Sequence, residues 1–562
     1  MKDFKNAIIE CVPNFSEGVN MDIIKKITDE IETVKGVRLL DTDAGKATNR
    51  TVVTLVGDPQ SVIDAAFLAI KKAGELIDMR QHKGEHPRMG ATDVCPLIPI
   101  SGITVEETIE FANTLAKRVG TELNIPTYLY EYAAKQDYRR NLADIRSGEY
   151  EGLATKIVRP EWMPDYGKPV FNERSGATVI GVRDFLIAYN VNLNTTSARR
   201  ANAVAFDIRE KGRQKKDEKG KILKDEKGDI IWEPGLLPAV KAIGWYIEEY
   251  GIAQISINLT NMHTTPLHKV FDTASERANA RGMRATGSEL VGLVPLQAIL
   301  EAGKYYLDKQ QRSTGVSEAE IIKIAVKSLG LDELGPFDPQ KKIIEYRLRD
   351  TTAKKLVDMT VTGFVAETAS ESPAPGGGSI SAYCGALGVA LATMVANLSA
   401  HKAGWDSRWQ EFSNHAVKGQ GLMKELLELV DEDTHAFNMI MTALGMQKAT
   451  DEEKALRRAA IEAATIYAIK VPFRTMERSF QSFELIKAMV ETGNPNSVSD
   501  AGVGALCART AVKGCYLNIK INAKDLANHP EVLPILEQAE IMLAQTDIIE
   551  QEIWGMVIDR MK

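Results

Sequence analysis

Two hydrophobic periods alternate along the first third of the chain. Residues 8–12 (IIECV), 37–41 (VRLLD) and 51–57 (TVVTLVG) are β-rich runs, whereas 21–34 and 61–77 repeat their apolar residues every three to four positions. The same alternation continues through VCPLIPI (94–100), a helical stretch at 105–123, TYLY (127–130) and ATVIGV (177–182). It predicts an α/β unit over 1–183. A second α/β unit is expected over 184–348, with FLIAYNVNL (185–193) as a strand, 196–209 as a helix, 242–260 as two strands, and helices at 266–281 and 317–329. Two units of similar make-up predict paired subdomains with a cleft between them. Beyond a linker at 349–355 the strand signals fade, and helices at 378–401, 407–447, 451–492, 497–521 and 530–560 predict an all-helical domain over 356–562. The expected fold class is therefore α/β followed by all-α.

Two stretches complicate this picture. Ile380 to Ala400 carries no charge, over about the length of a membrane span. It is built mostly of Ala, Gly, Ser and Thr, residues that allow close helix contact, so a buried bundle helix is expected. KDEKGKILKDEKGDII (216–231) is a near-repeat with a glycine in each copy. It reads either as a solvated hairpin or as a basic flap over an anionic substrate.

Composition narrows the function more than the fold. The 562 residues are 44% hydrophobic and 26% charged, with a net charge of −7. That balance excludes nucleic acid as a general partner, since phosphate binding needs a basic face; an anionic substrate would need basic residues gathered locally. Cys11, Cys95, Cys384, Cys507 and Cys515 form no close pair and no metal-ligand spacing, which predicts reduced thiols and a cytoplasmic location. The first residues show no signal-peptide profile.

The candidate chemistry sits at three places. HKGEHPRMGATDVCPLIPISG (82–102) is a polar loop feeding a buried strand, and Pro87 restricts the backbone of His86 to extended geometry. A histidine titrating at about 6.5 can accept a proton at neutral pH, so His86 is the first candidate for proton transfer and His82 the second; a histidine that only hydrogen-bonds is the alternative. In the helix around 423–444, Asp433 interrupts the apolar stripe of Met423, Leu426, Val430, Phe437, Ile440 and Leu444. A carboxylate facing a core needs a partner or a function. SPAPGGGSISA (372–382) puts Pro375 and Gly376, Gly377 and Gly378 before the uncharged helix, where exposed amides attract polarised oxygens. It reads equally as a plain loop leading into a helix. Asp500, Asn518 and Asn522 are further polar groups that could line a helical pocket.

CVPNFSEG (11–18), ATNRTVVTLVG (47–57), GEHPRMGATDVCPLIP (84–99), EWMPDYG (161–167) and GSELVGLVP (287–295) resemble the glutamate formiminotransferase family. SPAPGGGS, LVDEDTHAF (429–437) and YLNIKIN (516–522) resemble the cyclodeaminase domain fused to it in bifunctional formiminotransferase-cyclodeaminases. The resemblance implies a folate enzyme of histidine degradation. It would move a formimino group from N-formimino-L-glutamate to tetrahydrofolate, then cyclise the product to 5,10-methenyltetrahydrofolate with loss of ammonia. It matches His86 and Asp433 to the two catalytic positions. Asn14, Asp43 and Asn49 lie in its motifs as residues that would orient the pterin and the amidine. The loop Gly167, Lys168, Pro169, Val170, Phe171, Asn172, Glu173, Arg174, Ser175 and Gly176 matches its folate-binding stretch, with Lys168 and Arg174 as partners for glutamate carboxylates. It further implies a folate cleft between the two α/β subdomains, a polyglutamate form of the co-substrate, no metal, and a ring-shaped homo-octamer built as a tetramer of dimers. A formyl donor with a cyclohydrolase-like helical domain, or a folate-binding scaffold without catalysis, are the alternatives.

Overall fold

The computed structural model describes residues 7–45, 49–84, 87–248, 250–348 and 355–562. His86 and all but the last residue of the expected linker 349–355 lie outside them. The chain divides into two compact units, Met1–Ala298 with Leu329–Arg349, and Ile299–Ser328 with Asp350–Lys562.

The first unit is built on two sheets with one topology. Strands β1 (Ile8–Cys11), β2 (Asn14–Phe15), β3 (Val37–Gly45), β4 (Arg50–Gly57), β5 (Thr92–Ser101), β6 (Thr127–Glu131) and β7 (Thr178–Val182) form a mixed sheet. Helices α1 (Met21–Glu32), α2 (Pro59–Leu76) and α3 (Val105–Glu122) connect them. β1 and β2 are consecutive pieces of one central strand, because both pair antiparallel with β4 and with β5. Pro13 explains the break: it has no N–H to give to a central ladder. Its carbonyl instead accepts Val53 N–H, and Val12 N–H goes to the Pro96 carbonyl.

Taking β1/β2 as one strand, the order β3-β4-β1/β2-β5 with α1 and α2 as crossovers is a split βαββαβ unit, extended beyond β5 by parallel β7 and β6. The second sheet repeats the plan. After β8 (Ile187–Leu193) come α4 (Ala198–Ile208), the short pair β9 (Arg213–Gln214) and β10 (Trp232–Glu233), β11 (Val240–Ile247), β12 (Ile252–Leu259), α5 (Leu267–Asn279) and β13 (Ala285–Val291). Its order β11-β12-β8-β13 is the same permutation.

Alternation along the strands gives each sheet one apolar and one polar face. Ile9, Cys11, Leu55, Cys95 and Leu97 pack into the core that α1, α2 and α3 cover. In the second sheet Tyr189, Val191, Ile255 and Ile257 are buried, while the alternate residues carry a polar ladder. Gln254 Nε2 donates to Asn192 Oδ1 at 2.8 Å, Trp245 Nε1 donates to Gln254 Oε1 at 3.2 Å, and Asn192 Nδ2 donates to Glu333 at 2.6 Å.

Glu10, between Ile9 and Cys11, must face away from the helices of the first sheet. It is only 5% exposed, and burial pushes its carboxyl up to about 7 against the lowering effect of Arg183. A folded-state pKa above the unfolded one means a contribution that is complete below about 4.5 and lost as the pH rises through 7. Glu10→Gln is therefore expected to raise the melting temperature of the protein at pH 8 by removing a cost of up to about 3 kcal/mol. At pH 5 it should change little. Melting curves at the two pH values check this, and equal shifts at both would contradict it.

The near-repeat becomes two identical tight turns. Asp217 Oδ1 accepts the N–H groups of Lys219 and Lys221, Asp225 Oδ1 accepts those of Lys227 and Asp229, and Gly220 and Gly228 supply the left-handed residue. The solvated-hairpin expectation describes this segment, and its residues are largely exposed.

The second unit is a bundle of α6 (Gly377–Ala400), α7 (Trp409–Leu444), α8 (Asp451–Thr492), α9 (Val498–Asn522) and α10 (Leu533–Arg560). The uncharged α6 is long and apolar enough to cross a membrane, and most of it is buried inside the unit. Its small residues explain how: a side chain at Gly388 would strike the Gly504 carbonyl of α9, and one at Gly385 would strike Ser479 of α8. The segment 299–328, which periodicity alone assigns to the second α/β stretch, packs here. Thr314 N–H donates to Ser413 Oγ at 3.0 Å, and Asn397 Nδ2 donates to the Gly315 carbonyl at 2.9 Å. Sequence period reports that a helix is amphipathic, not which core receives its apolar face.

Candidate active sites

In the first unit, two glycine-bearing loops far apart in sequence are zipped together ahead of β5. Ala91 N–H donates to Ser175 O, Ala177 N–H to Met89 O, and Met79 N–H to Arg174 O. Gly176 has φ +67°, and a side chain there would overlap the Met89 carbonyl, so only glycine allows the two backbones this close. Met79 and Met89–Ala91 are therefore held side by side with Arg174–Ala177.

Around the undescribed Glu85 and His86, the flanks are firmly held. Arg88 is buried and ion-paired to Glu151 at 2.7 Å and Glu149 at 3.2 Å, contacts that raise its pKa. It also donates to His82 Nδ1 at 3.2 Å, and His82 Nε2 lies 2.9 Å from the Asn49 carbonyl. An Nδ1 that accepts leaves Nε2 as the donor, so both ring nitrogens of His82 are engaged. His82 is thereby tied to Arg88 and Asn49 within the loop.

Asn49, at φ 46°, accepts Gly18 N–H at 2.9 Å and donates to Lys83 O at 2.8 Å, stapling two loops. Asn14 is buried, donates to Val12 O and accepts from Arg50 Nε at 2.8 Å. Asp43 is exposed on β3 opposite Val52. Beneath the loop lies a cluster that periodicity and motifs do not reveal. Asp93, 1% exposed, accepts Met89 N–H at 3.0 Å, is gripped by Arg146, and has Arg50 Nη1 at 3.9 Å. Burial lowers the Arg50 guanidinium to about 10. The one signal in the sequence is the position of Asp93 directly after GEHPRMGAT; its arginine partners come from distant segments.

In 167–176, Lys168, Pro169 and Val170 are exposed. Phe171 packs on Tyr150 at 5.3 Å between ring centroids, the Glu173 carbonyl accepts the Tyr150 hydroxyl, and Asn172 Oδ1 accepts Ser175 N–H at 3.0 Å. Arg174 departs from the expectation of a carboxylate partner. Its Nη2 donates to Glu75 O at 2.6 Å and its Nε to Gly74 O at 3.3 Å, where the open carbonyls of the last turn of α2 attract a cation.

The second unit joins two features that lie far apart in sequence. Asp433 Oδ2 accepts Ser379 N–H at 2.8 Å and Ser379 Oγ–H at 3.1 Å, at the first turn of α6. Gly376, the N-cap of α6, has no side chain to give, so Asp433 from α7 supplies the capping oxygen. A methyl group at Gly378 would overlap this carboxylate. Burial raises the Asp433 pKa above 3.8, partly opposed by the two Ser379 hydrogen bonds. Both readings of this aspartate, cap and functional acid, thus fall on one geometry. Gly377 lies against Asn518, and Pro375 is buried beside them in the chain. Asn522 Nδ2 donates to Ala468 O of α8 at 2.9 Å.

Asp500 does not join this group. It lies in the first turn of α9, about 27 Å along the helix from Asn518. His435 turns away to Tyr467 at 6.5 Å between ring centroids, and Glu432 is held by Tyr467 and Arg474. Among the described residues no group of three His, Cys, Asp or Glu could hold a metal ion.

The fold and the two sites define a chain with a two-sheet α/β unit and an all-helical unit, each with its own polar centre. Among family models, the formiminotransferase domain N-terminal subdomain matches 8–183, the formiminotransferase domain 188–349, which takes in the segment 299–328 that packs in the second unit, and formiminotransferase-cyclodeaminase 360–540. A Mus musculus protein named formimidoyltransferase-cyclodeaminase is 40% identical over 96% of this chain and 98% of its own length. The Streptococcus pyogenes protein named glutamate formimidoyltransferase is 41% identical over 53% of this chain and 93% of its own. A Methylorubrum extorquens protein named methenyltetrahydrofolate cyclohydrolase is 34% identical over 35% of this chain and 95% of its own. The chain belongs to the formimidoyltransferase-cyclodeaminase family.

Proposed function

We propose that this chain is a bifunctional folate enzyme that transfers the formimino group of N-formimino-L-glutamate to N5 of tetrahydrofolate and then closes 5-formiminotetrahydrofolate to 5,10-methenyltetrahydrofolate with release of ammonia. The observation that carries this reading is full-length similarity to formimidoyltransferase-cyclodeaminases together with Asp433 held against a glycine loop at a helix N-terminus.

In the first step N5 attacks the formimino carbon. His86 takes the N5 proton and returns it to the glutamate nitrogen as the C–N bond breaks, so one base serves both halves of the exchange. The folate lies in a cleft between the polar faces of the two sheets; in support, Lys241 of the second sheet is close enough to lower the pKa of Glu131 in the first. The joined loops 78–91 and 167–176 form its rim, with Lys168 offered to a glutamate carboxylate. Asn14, Asp43 and Asn49 keep the positioning role.

In the second step N10 attacks the same carbon, now in the protonated, amidinium form of the formimino group. Asp433 accepts the N10 proton and delivers it to the amino group that leaves as ammonia, and the methenyl cation remains. Amides of the Gly376–Gly378 loop and Asn518 bind the pterin side. Neither step calls for a metal. The enzyme acts in the cytoplasm on polyglutamylated folate as a homo-octamer.

The Methylorubrum relative supports one other reading, in which the helical unit hydrolyses methenyltetrahydrofolate. A coupled assay tests both. Formiminoglutamate and tetrahydrofolate should give rising methenyltetrahydrofolate absorbance with one ammonia per turnover. Methenyltetrahydrofolate consumption without ammonia release would replace the deaminase with the cyclohydrolase.

A further inference from the structure

The carboxylate of Asp433 meets a side chain that the mechanism above does not use. Ser379 is the third residue of α6 and is fully buried. Its hydroxyl lies between two acceptors on α7: the Val430 carbonyl is 2.9 Å from Oγ and Asp433 Oδ2 is 3.1 Å away, with Thr434 Oγ1 further off at 3.4 Å. A serine has a single hydroxyl hydrogen. It can serve the backbone carbonyl or the carboxylate, but not both at full strength.

The two oxygens of Asp433 are unlike in consequence. Oδ2 accepts from both the amide and the hydroxyl of Ser379, whereas Oδ1 has no hydrogen-bond partner among the described residues. One oxygen of this half-buried residue is tethered, and the other is left for a ligand.

Neighbouring charges do not decide the protonation of Asp433. Among the described residues it joins no ion pair; burial raises its pKa, and the two Ser379 bonds lower it. On α9 the nearby Cys515 stays a neutral thiol, because burial first and then the Asp433 charge push its pKa up. On α7 itself Glu432 is held by Tyr467 and Arg474, and the His435 ring packs on Tyr467. Desolvation and Ser379 are what set the proton affinity of the carboxylate.

A group that takes a proton and then returns it needs surroundings that suit both of its states. While Asp433 is ionised, the Ser379 hydroxyl donates to Oδ2 and stabilises the charge. Once Oδ1 has taken the N10 proton, Oδ2 is a weaker acceptor, and the hydroxyl turns to the Val430 carbonyl instead of being stranded as a buried donor. Oδ1 then passes the proton to the leaving amino group, and the hydroxyl turns back. Ser379 itself gains and loses nothing, since the proton that leaves N10 departs on ammonia.

We propose that Ser379 is a positioning residue of the cyclodeaminase, a hydroxyl with two resting places that keeps Asp433 able to accept a proton at Oδ1 and to release it again. This inference rests on the role of Asp433 proposed above.

The test uses the full-length protein, supplies 5-formiminotetrahydrofolate directly, and follows ammonia release as a function of pH. In Ser379→Ala the amide still donates to Oδ2, so the cap survives, while the ionised carboxylate loses one donor. A charged form less well stabilised has a higher pKa. The acid limb of the kcat profile should therefore move up by about one pH unit, with KM unchanged. Ser379→Thr keeps the hydroxyl and should restore the parent limb. Ser379→Cys, close to serine in shape but a weak donor, should shift the limb in the same direction as alanine, and it gives the answer where the alanine variant does not fold. A merely structural serine would lower the rate at every pH and leave the limb in place. A parent limb in Ser379→Ala, or an equal shift in Ser379→Thr, overturns the inference. Asp433→Asn separates that failure from failure of the catalytic reading. If it stops ammonia release while Ser379→Ala keeps the parent limb, Asp433 is the acid–base group and the serine only packs. If it releases ammonia at the parent rate, the catalytic reading falls and the role of Ser379 falls with it.

Discussion

Asp433→Asn is expected to stop ammonia release while formimino transfer continues, so that 5-formiminotetrahydrofolate accumulates. The carboxamide has the size of the carboxylate and keeps an oxygen for the Ser379 N–H, now 2.8 Å from Oδ2, so the cap and the bundle should survive. What disappears is the group that, in the mechanism proposed above, accepts a proton from N10 and gives it to the leaving nitrogen. General acid–base catalysis of this kind contributes about 10²–10⁴-fold, which sets the expected loss in the second step. The surroundings of the carboxylate suit this chemistry. Burial raises the Asp433 pKa above 3.8, bringing it closer to neutral pH and making it a better proton acceptor and donor in turn. Gly378→Ala probes the same centre without touching the acid, because the added methyl group would displace the carboxylate. Rapid-quench assays that follow 5-formiminotetrahydrofolate and ammonia separately measure both. Ammonia release at the parent rate in Asp433→Asn would refute the assignment, and a cap-only aspartate would then be the correct reading.

Periodicity locates Asp433 in an apolar stripe, and the glycines before α6 mark a loop that a ligand could approach. Neither signal says that the two meet, because the pairing of α6 with α7 depends on small residues such as Gly419 fitting against Thr393 and Gly385 against Leu426. The same limit applies in the first unit. The alternation of strand and helix periods is enough to place β1, β3 to β8, β11 and β12, but it passes over the two-residue strands β2, β9 and β10 and over β13, and it does not show that the segment 299–328 packs in the second unit. β13 contains a glycine and a buried serine that hydrogen-bonds Leu329 O rather than an apolar run. Likewise Arg50, Asp93 and Arg146 come from three separated segments, and only the folded sheet brings them under one loop. Asp500 fails for the opposite reason. Its residue type suits a pocket, yet helical rise alone carries it to the far end of α9.

His86→Gln should produce the mirror image of the Asp433 variant. Transfer from formiminoglutamate is expected to fall by about 10²–10⁴-fold, while 5-formiminotetrahydrofolate supplied directly is still cyclised with ammonia release at the parent rate. The sequence places His86 directly before Pro87, a position that favours extended backbone, and the described residues that flank the pair 85–86 are tied down. Arg88 on one side is fixed by Glu149 and Glu151, and Lys83 on the other is held through Asn49. His82 cannot take over, since Arg88 occupies its Nδ1 and the Asn49 carbonyl its Nε2. His82→Gln should consequently weaken transfer less than His86→Gln, by loosening the brace rather than by removing the base. Comparing kcat for the two variants, with direct cyclisation as the internal control, decides the point. If His82→Gln proves the more damaging, the proton passes through His82, and the loop must rearrange to release its ring when substrate binds.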